Sequence, residues 1–222
     1  DSYEKEPKRI FSNKDILPFL NQWKEPLKFK PGEKWDYSNI NYNLLALVVE
    51  KVSGKAFQDY LQENIFSKAK MSDTYLLEDF PNRRKDANRV INQRFWRPYS
   101  ESPIDGETKM FQFFNVRSYR TSGIKGSSDI VSTANDLLKY DQSLYSGVLL
   151  KQATLDEAFT PTKLNNGEPA SDDWVALGKR VMGLGWFIFK DESKGKIVWH
   201  NGGTPGTLSI FIRKITKNQT VI

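Results

Sequence analysis

The hydrophobic rhythm of the chain is helical over its first two thirds and strand-like near its end. From Asn41 onward, Leu44, Leu45, Leu47, Val48 and Val52 recur at three- and four-residue spacing, which predicts one broad apolar helix face. Gly54 ends this helix, since glycine readily takes the left-handed conformation that follows a last helical turn. Upstream, Pro31-Gly32 signals a turn, and Asp36, Ser38 and Asn39 offer oxygens that cap a helix start. Each buried Leu or Val contributes roughly 1.5–3 kcal/mol, so this helix is expected to anchor a core.

Shorter helical patterns flank it. Ser12 and Asp15 form a capping pair ahead of Ile16, Leu17, Phe19 and Leu20, although residues 1–29 read as the end of something larger. Phe57, Tyr60, Leu61 and Ile65 continue the helical spacing. Thr133 and Asp136 cap a run through Leu137, Leu138, Tyr140 and Leu144 that Gly147 closes, and a helix over 152–159 stops at Pro161. Residues 162–181 read as loop, with Asn165-Asn166-Gly167 as its turn. The period then changes. Residues 183–189, 196–200 and 207–213 are β-rich runs, the first two joined by a polar turn containing Gly195, and 220–222 starts another.

Composition narrows the class. The 222 residues are 38% hydrophobic and 27% charged, which suits one globular domain or two small ones and excludes a disordered chain. The absence of cysteine removes disulfides and thiolate chemistry. No run of eighteen apolar residues exists, so no membrane span is expected. Neither a metal nor a cofactor is called for. The net charge of +6 raises the question of an anionic partner. Within 78–125, Arg83, Arg84, Lys85, Arg89, Arg94 and Arg97 lie among Phe95, Trp96 and Tyr99, a mixture that single-strand nucleic-acid surfaces use. Glu78, Asp79, Asp86, Glu101 and Asp105 dilute it, and no nucleic-acid motif accompanies it. The segment therefore reads as a solvated insertion over the helical region, and no nucleic-acid partner is expected.

Three stretches resemble one known family. PGEKWDYSN followed by NYNLLALVVEKVSG resembles the Tyr-x-Asn segment of serine hydrolases related to class C β-lactamases and penicillin-binding proteins. GSSDIVSTANDLLKYDQSLYSG over 126–147 resembles a later helix of that family, and GLGWFIF with VWHNGGTPGTLSIFIR resembles its active-site strand. Their order is the family's order. Tyr-x-Asn alone is weak, whereas three matches in sequence are specific. The resemblance implies an α+β fold of the β-lactamase/transpeptidase kind, incomplete at both ends. A mainly helical region over 1–181 would carry Tyr-x-Asn and the insertion, and part of an antiparallel sheet would occupy 182–222. It also favours a periplasmic or extracellular location.

The resemblance assigns roles to six residues. Tyr37 would act as the base, because a neighbouring cation favours a phenolate that accepts a proton from a serine. Asn39 would grip a substrate amide, being both donor and acceptor. Read without the family, Tyr37 is a hydrogen-bonded tyrosine near a helix start and Asn39 a simple cap. His200, Asn201 and Gly202 stand where the family carries Lys-Thr-Gly or His-x-Gly, and the amide of Gly203 would be one oxyanion donor. A lone histidine is more often structural than catalytic, and only its place beside these glycines argues otherwise. With histidine in place of lysine, the site attracts a β-lactam carboxylate less, since imidazole is mostly neutral. That points to a peptidase- or esterase-like hydrolase rather than a strict β-lactamase.

One motif is missing. The family's nucleophile sits in Ser-x-x-Lys, which puts lysine one helical turn from the serine. Ser2/Lys5, Ser67/Lys70, Ser122/Lys125 and Ser193/Lys196 match the spacing. Ser2 is too close to Tyr37 and lies in a polar context; the others follow Tyr37, whereas the family's serine lies well upstream. The chain is thus expected to be the middle and late part of a serine hydrolase that turns over a small-molecule, ester or peptide substrate through an acyl-enzyme. Another segment or chain would complete its sheet. The competing reading is a non-catalytic module of the same fold that binds a peptide or muropeptide, and upstream sequence separates the two.

Overall fold

The computed structural model describes residues 11–76, 123–174, 178–191, 195–204 and 207–222. The insertion read over 78–125 lies almost wholly outside them. Within the described residues the order is helices first and sheet second, an α+β arrangement. A 3-10 turn, Asn13–Asp15, leads into α1 (Ile16–Gln22). The Asp15 carboxylate accepts from the Ser12 amide at 2.8 Å and from its hydroxyl at 3.1 Å, so the expected pair does close this start.

Helix α2 (Asn39–Ser53) ends at Gly54, whose φ of 70° is the left-handed cap the sequence predicts. Two other expectations fail here. Ser38 occupies the N-cap position with extended backbone, but its side chain makes no cap bond, and Asp36 is drawn away to Lys28 at 2.7 Å. The apolar face is also not the buried one: Leu45 and Val48 are more than half exposed and Val52 is 82% exposed, while Asn43 and Ala46 are buried. Tertiary contacts choose that side. Asn13 donates to the Asn43 carbonyl at 2.9 Å and to the Lys125 carbonyl at 2.9 Å, and its own carbonyl accepts from the Lys125 amide at 2.7 Å. Next to Lys125, Gly126 has φ of 102°, and a Cβ there would lie 2.4 Å from the Tyr42 carbonyl oxygen. The loop lies flat on α2 because glycine has no side chain to hold it off.

Helix α3 (Phe57–Leu61) continues into a π-helical turn, Gln62–Phe66. Its Leu61 and Phe66 pack with Ala69, Met71 and Leu76. Strands β1 (Tyr75–Leu76) and β2 (Ile130–Val131) form a small antiparallel pair. Thr133 caps α4 (Ala134–Tyr145), accepting from the Asp136 amide at 3.1 Å. The Asp136 carboxylate, fully buried, does something the capping pattern does not foresee. It accepts from the Asp73 amide at 2.7 Å, the Thr74 hydroxyl at 2.9 Å and Lys139 Nζ at 2.7 Å. One side chain thereby ties the turn before β1 to the start of α4. Helix α5 (Gln152–Ala158) follows.

The main sheet is a six-stranded antiparallel meander: β3 (Ser171–Trp174), β4 (Gly178–Met182), β5 (Phe187–Asp191), β6 (Gly195–Thr204), β7 (Thr207–Lys214) and β8 (Gln219–Val221). Residues 162–181, read as loop, therefore contain β3 and β4, and the sheet begins before residue 182. These strands escape the period-two rule because β3 is an edge strand and its ladder to β4 carries a charged pair, Asp172 opposite Arg180, rather than alternating apolar residues. The turn at Asn165-Asn166-Gly167 does form, closed by the Gly167 amide on the Leu164 carbonyl at 2.9 Å. The strand expected from 183 begins only at Phe187, because Gly183 bonds back to the Trp186 carbonyl at 2.8 Å in a turn.

One sheet face carries Ile188 and Val198 against Leu144, Leu155, Ala158 and Phe159 of α4, α5 and the residue after. Arg213 on β7 crosses this interface. It donates to Asp141 of α4 at 3.0 Å and to the Thr220 hydroxyl at 2.9 Å, with its guanidinium carbon 4.2 Å from the Tyr145 ring centre.

Asp136 yields a test. Burial opposes its ionisation, but the bonds from Lys139, the Asp73 amide and Thr74 outweigh burial and hold its carboxyl below the ordinary value. A depressed folded-state value stabilises the fold above the unfolded value of about 3.9, and that contribution is lost as pH falls through the folded one. Asp136→Asn should therefore cost about 1.5–3 kcal/mol at neutral pH. In urea unfolding, its deficit relative to wild type should shrink as pH drops below about 4.

Candidate active site

Strand β6 outruns β5. Their pairing runs from Asp191 opposite Gly195 to Phe187 opposite Trp199, and there β5 stops. From His200 to Thr204, β6 pairs only with β7 among the described residues. In an antiparallel ladder, alternate residues turn their N–H and C=O groups to opposite sides. Part of this stretch thus presents backbone donors and acceptors along an open edge, and it contains His200, Asn201, Gly202 and Gly203. Gly202 lies opposite Ser209, and a Cβ on it would come 2.8 Å from the serine hydroxyl.

An aromatic relay connects this edge to the Tyr37 loop. The Phe187 ring is buried to 1% exposure. It stacks with the His200 imidazole at 5.1 Å and 22°, packs on Trp199 at 4.9 Å, and meets Trp35 edge-on at 6.5 Å. Trp35 in turn meets Tyr37 edge-on at 6.4 Å. Tyr37 and His200, about 160 residues apart, are so joined through two intervening rings. A second contact closes the same wall: a Cβ on Gly185, in the β4–β5 turn, would lie 3.6 Å from the Tyr42 hydroxyl. Asn39 is not part of the relay. It opens α2, exposed, and its side chain makes no hydrogen bond among the described residues.

Electrostatics distinguishes the groups. Burial, and then nearby Tyr37, push the Tyr42 hydroxyl above its ordinary value, so Tyr42 stays a neutral phenol. Burial chiefly pushes His200 down; its backbone partner opposes this, and Arg180 adds to it. The imidazole is therefore uncharged at neutral pH. Its Nδ1 lies 2.7 Å from the Asn201 carbonyl oxygen. Arg180 lies with its guanidinium carbon 4.6 Å from the Phe187 ring centre and holds Asp172 in a two-pronged pair, Nε to Oδ1 at 2.7 Å and Nη2 to Oδ2.

Sequence reasoning did not find Trp35, Phe187, Arg180 or Asp172. Trp35 stands two residues before Tyr37, and Phe187 lies in a β-rich run, but no motif marks either as a neighbour of His200. The four Ser-x-x-Lys spacings gain little here. Ser67 closes the π-helical turn, its hydroxyl accepting from Gln62 at 3.1 Å, and Lys70 has φ of 57° in the turn beyond. Ser2, Ser122 and Ser193 lie outside the described residues.

The family model described as Beta-lactamase matches residues 3–221. The chain belongs to the beta-lactamase family. Penicillin-binding protein 4* of Bacillus subtilis (strain 168) is 33% identical over 218 residues, covering 96% of this chain and 44% of that protein. The putative D-alanyl-D-alanine carboxypeptidase of Escherichia coli (strain K12) is 25% identical over 203 residues, covering 84% of this chain and 44% of that protein. Among solved structures, the D-amino acid amidase from Ochrobactrum anthropi SV3 complexed with D-phenylalanine superposes with a TM-score of 0.64 at 25% identity. That match covers 96% of this chain and 56% of the amidase. This beta-lactamase-family chain thus spans less than half the length of these two curated relatives. The α+β fold implied by Tyr-x-Asn and His-x-Gly is the fold it has.

The relay yields a stability test. Phe187→Ala should cost about 3–5 kcal/mol, because a buried ring between Trp35, Trp199 and His200 leaves a cavity that backbone on three segments cannot collapse into. Denaturant unfolding measures it, and a loss below 1 kcal/mol would mean that the ring does not organise the wall.

Proposed function

We propose that this chain carries the general-base and substrate-edge half of a serine hydrolase that works by acyl transfer through an acyl-enzyme. The observation that carries the reading is the ring relay from Tyr37 through Trp35 and Phe187 to His200, which joins two motifs that nothing local requires to meet. In this reading Tyr37 takes the proton of a serine nucleophile and Asn39 holds a substrate amide. The open edge of β6 receives an extended substrate, with His200, Asn201 and Gly202 beside it and the Gly203 amide as an oxyanion donor. In this reading the serine and its lysine are supplied from outside this chain, since in the sequence its four Ser-x-x-Lys spacings lie either too close to Tyr37 or after it.

The substrate class follows from the edge and the relatives together. A strand edge offering backbone groups suits a peptide-like amide or ester. Relatives named as a carboxypeptidase and a D-amino acid amidase favour peptides or amides with a D-residue next to the cut bond. The neutral imidazole at position 200 disfavours a ligand that depends on a permanent cation for its carboxylate.

Two measurements test this. The 222-residue chain alone should hydrolyse neither a chromogenic cephalosporin nor a p-nitrophenyl ester above background, and turnover abolished by Ser2→Ala would place the nucleophile inside it. In a longer protein that carries Ser-x-x-Lys upstream, Tyr37→Phe should lower kcat by about 10²–10⁴, as removal of a general base does. An unchanged kcat would remove Tyr37 from that role. A longer protein with no Ser-x-x-Lys would instead favour a binding module.

A further inference from the structure

The bond at His200 decides its tautomer. A carbonyl oxygen only accepts, so the 2.7 Å contact between Nδ1 and the Asn201 carbonyl requires the proton on Nδ1. In the neutral ring, Nε2 then carries the lone pair. Lysine at this position is a donor only; this imidazole is an acceptor on its other side.

The ring is held in place from outside its own strand. Phe187 stacks on it, and Arg180 lies over Phe187 while its fork grips Asp172 on the edge strand β3. We propose that Arg180 is a positioning residue for His200: held over Phe187, its cation keeps the imidazole a neutral Nδ1–H tautomer whose Nε2 serves as an acceptor in the site, and the Asp172 carboxylate offsets part of that effect. The inference rests on the proposed reading of β6 as the substrate edge, and it adds that the group met there is a hydrogen-bond donor, such as an amide N–H or an ammonium, rather than a carboxylate.

Charge and geometry act in the same direction. Burial is the main cause that pushes His200 down, and the Arg180 guanidinium adds to it. Asp172 is a counterweight, because its carboxylate offsets part of the Arg180 charge. Among the described residues, the groups that bear on the imidazole are Arg180 on β4 with its partner Asp172 on β3, the Asn201 carbonyl on β6 and, through Phe187 and Trp35, the Tyr37 phenol.

His200 is the only histidine of the 222-residue chain, so its resonances are unambiguous by nuclear magnetic resonance. Long-range proton–nitrogen correlation should show Nδ1 as the protonated nitrogen of the neutral ring; a proton on Nε2 would overturn the acceptor assignment. Titration of two variants tests Arg180. Arg180→Gln should raise the His200 pKa, because a cation is lost. Asp172→Asn should lower it, because a carboxylate that offsets part of the Arg180 charge is lost. If Arg180 and Asp172 were only structural, loosening either would expose the ring and raise both values. A rise or no change in Asp172→Asn therefore overturns the proposal, even where Arg180→Gln fails to fold. These resonances do not depend on catalysis, so loss of the acyl-transfer reading and loss of this one are separate outcomes.

Discussion

The candidate site depends on one register, Phe187 of β5 opposite Trp199 of β6. Strand side chains alternate between faces, so a slip of one residue would send Phe187 to the face that α4 and α5 cover. With the register as it is, Phe187 lies against Trp35 and Trp199, and β5 ends one residue before β6 reaches His200. The open edge and the ring relay are consequences of that single alignment. The β4–β5 turn reinforces it, since Gly183 bonds to the Trp186 carbonyl and an added Cβ there would strike the Ala158 carbonyl oxygen at 2.4 Å.

Buried polar groups fix how the helices meet this frame. Asp136 gathers a backbone amide, a hydroxyl and an ammonium from two segments, and Arg213 binds Asp141 and Thr220 between α4 and the last strands. A buried ion pair adds little net stability compared with well-packed apolar residues. Its effect is geometric: an apolar contact tolerates sliding, whereas a carboxylate with three partners tolerates little. Asn13 acts in the same way without charge, holding the Lys125 backbone to α2 through both ends of one amide group.

In the proposed reading, a histidine at the position where the resembling family has Lys-Thr-Gly or His-x-Gly alters what the strand would recognise. Among the described residues, Arg180 is the cation that acts on His200, and Asp172 pairs with it. The edge therefore combines backbone groups with a neutral ring. In the proposed reading, recognition on such a surface would rest on hydrogen-bond direction more than on charge, and it would be less sensitive to salt than at a lysine-lined site.

The sequence alone established most of the element types, though not β3 and β4, and the family. Capping pairs at Ser12/Asp15 and Thr133/Asp136, the stop at Gly54 and the late change to period two are local effects, set by backbone chemistry within a few residues. Motif order carried the family because Tyr37-Ser38-Asn39 and His200-Asn201-Gly202 are read without knowing their neighbours. What tertiary structure decided was which faces are covered and which residues meet. Periodicity marked an apolar stripe on α2, but Asn13 and Gly126 selected the side with Asn43 and Ala46. Strands β3 and β4 were hidden because the residues that face each other across their ladder are mostly charged or polar, Asp172 opposite Arg180 and Asp173 opposite Lys179, not an apolar alternation. The relay was equally illegible, because Trp35, Phe187 and Arg180 become neighbours of His200 only through strand register, a long-range property that no local spacing encodes.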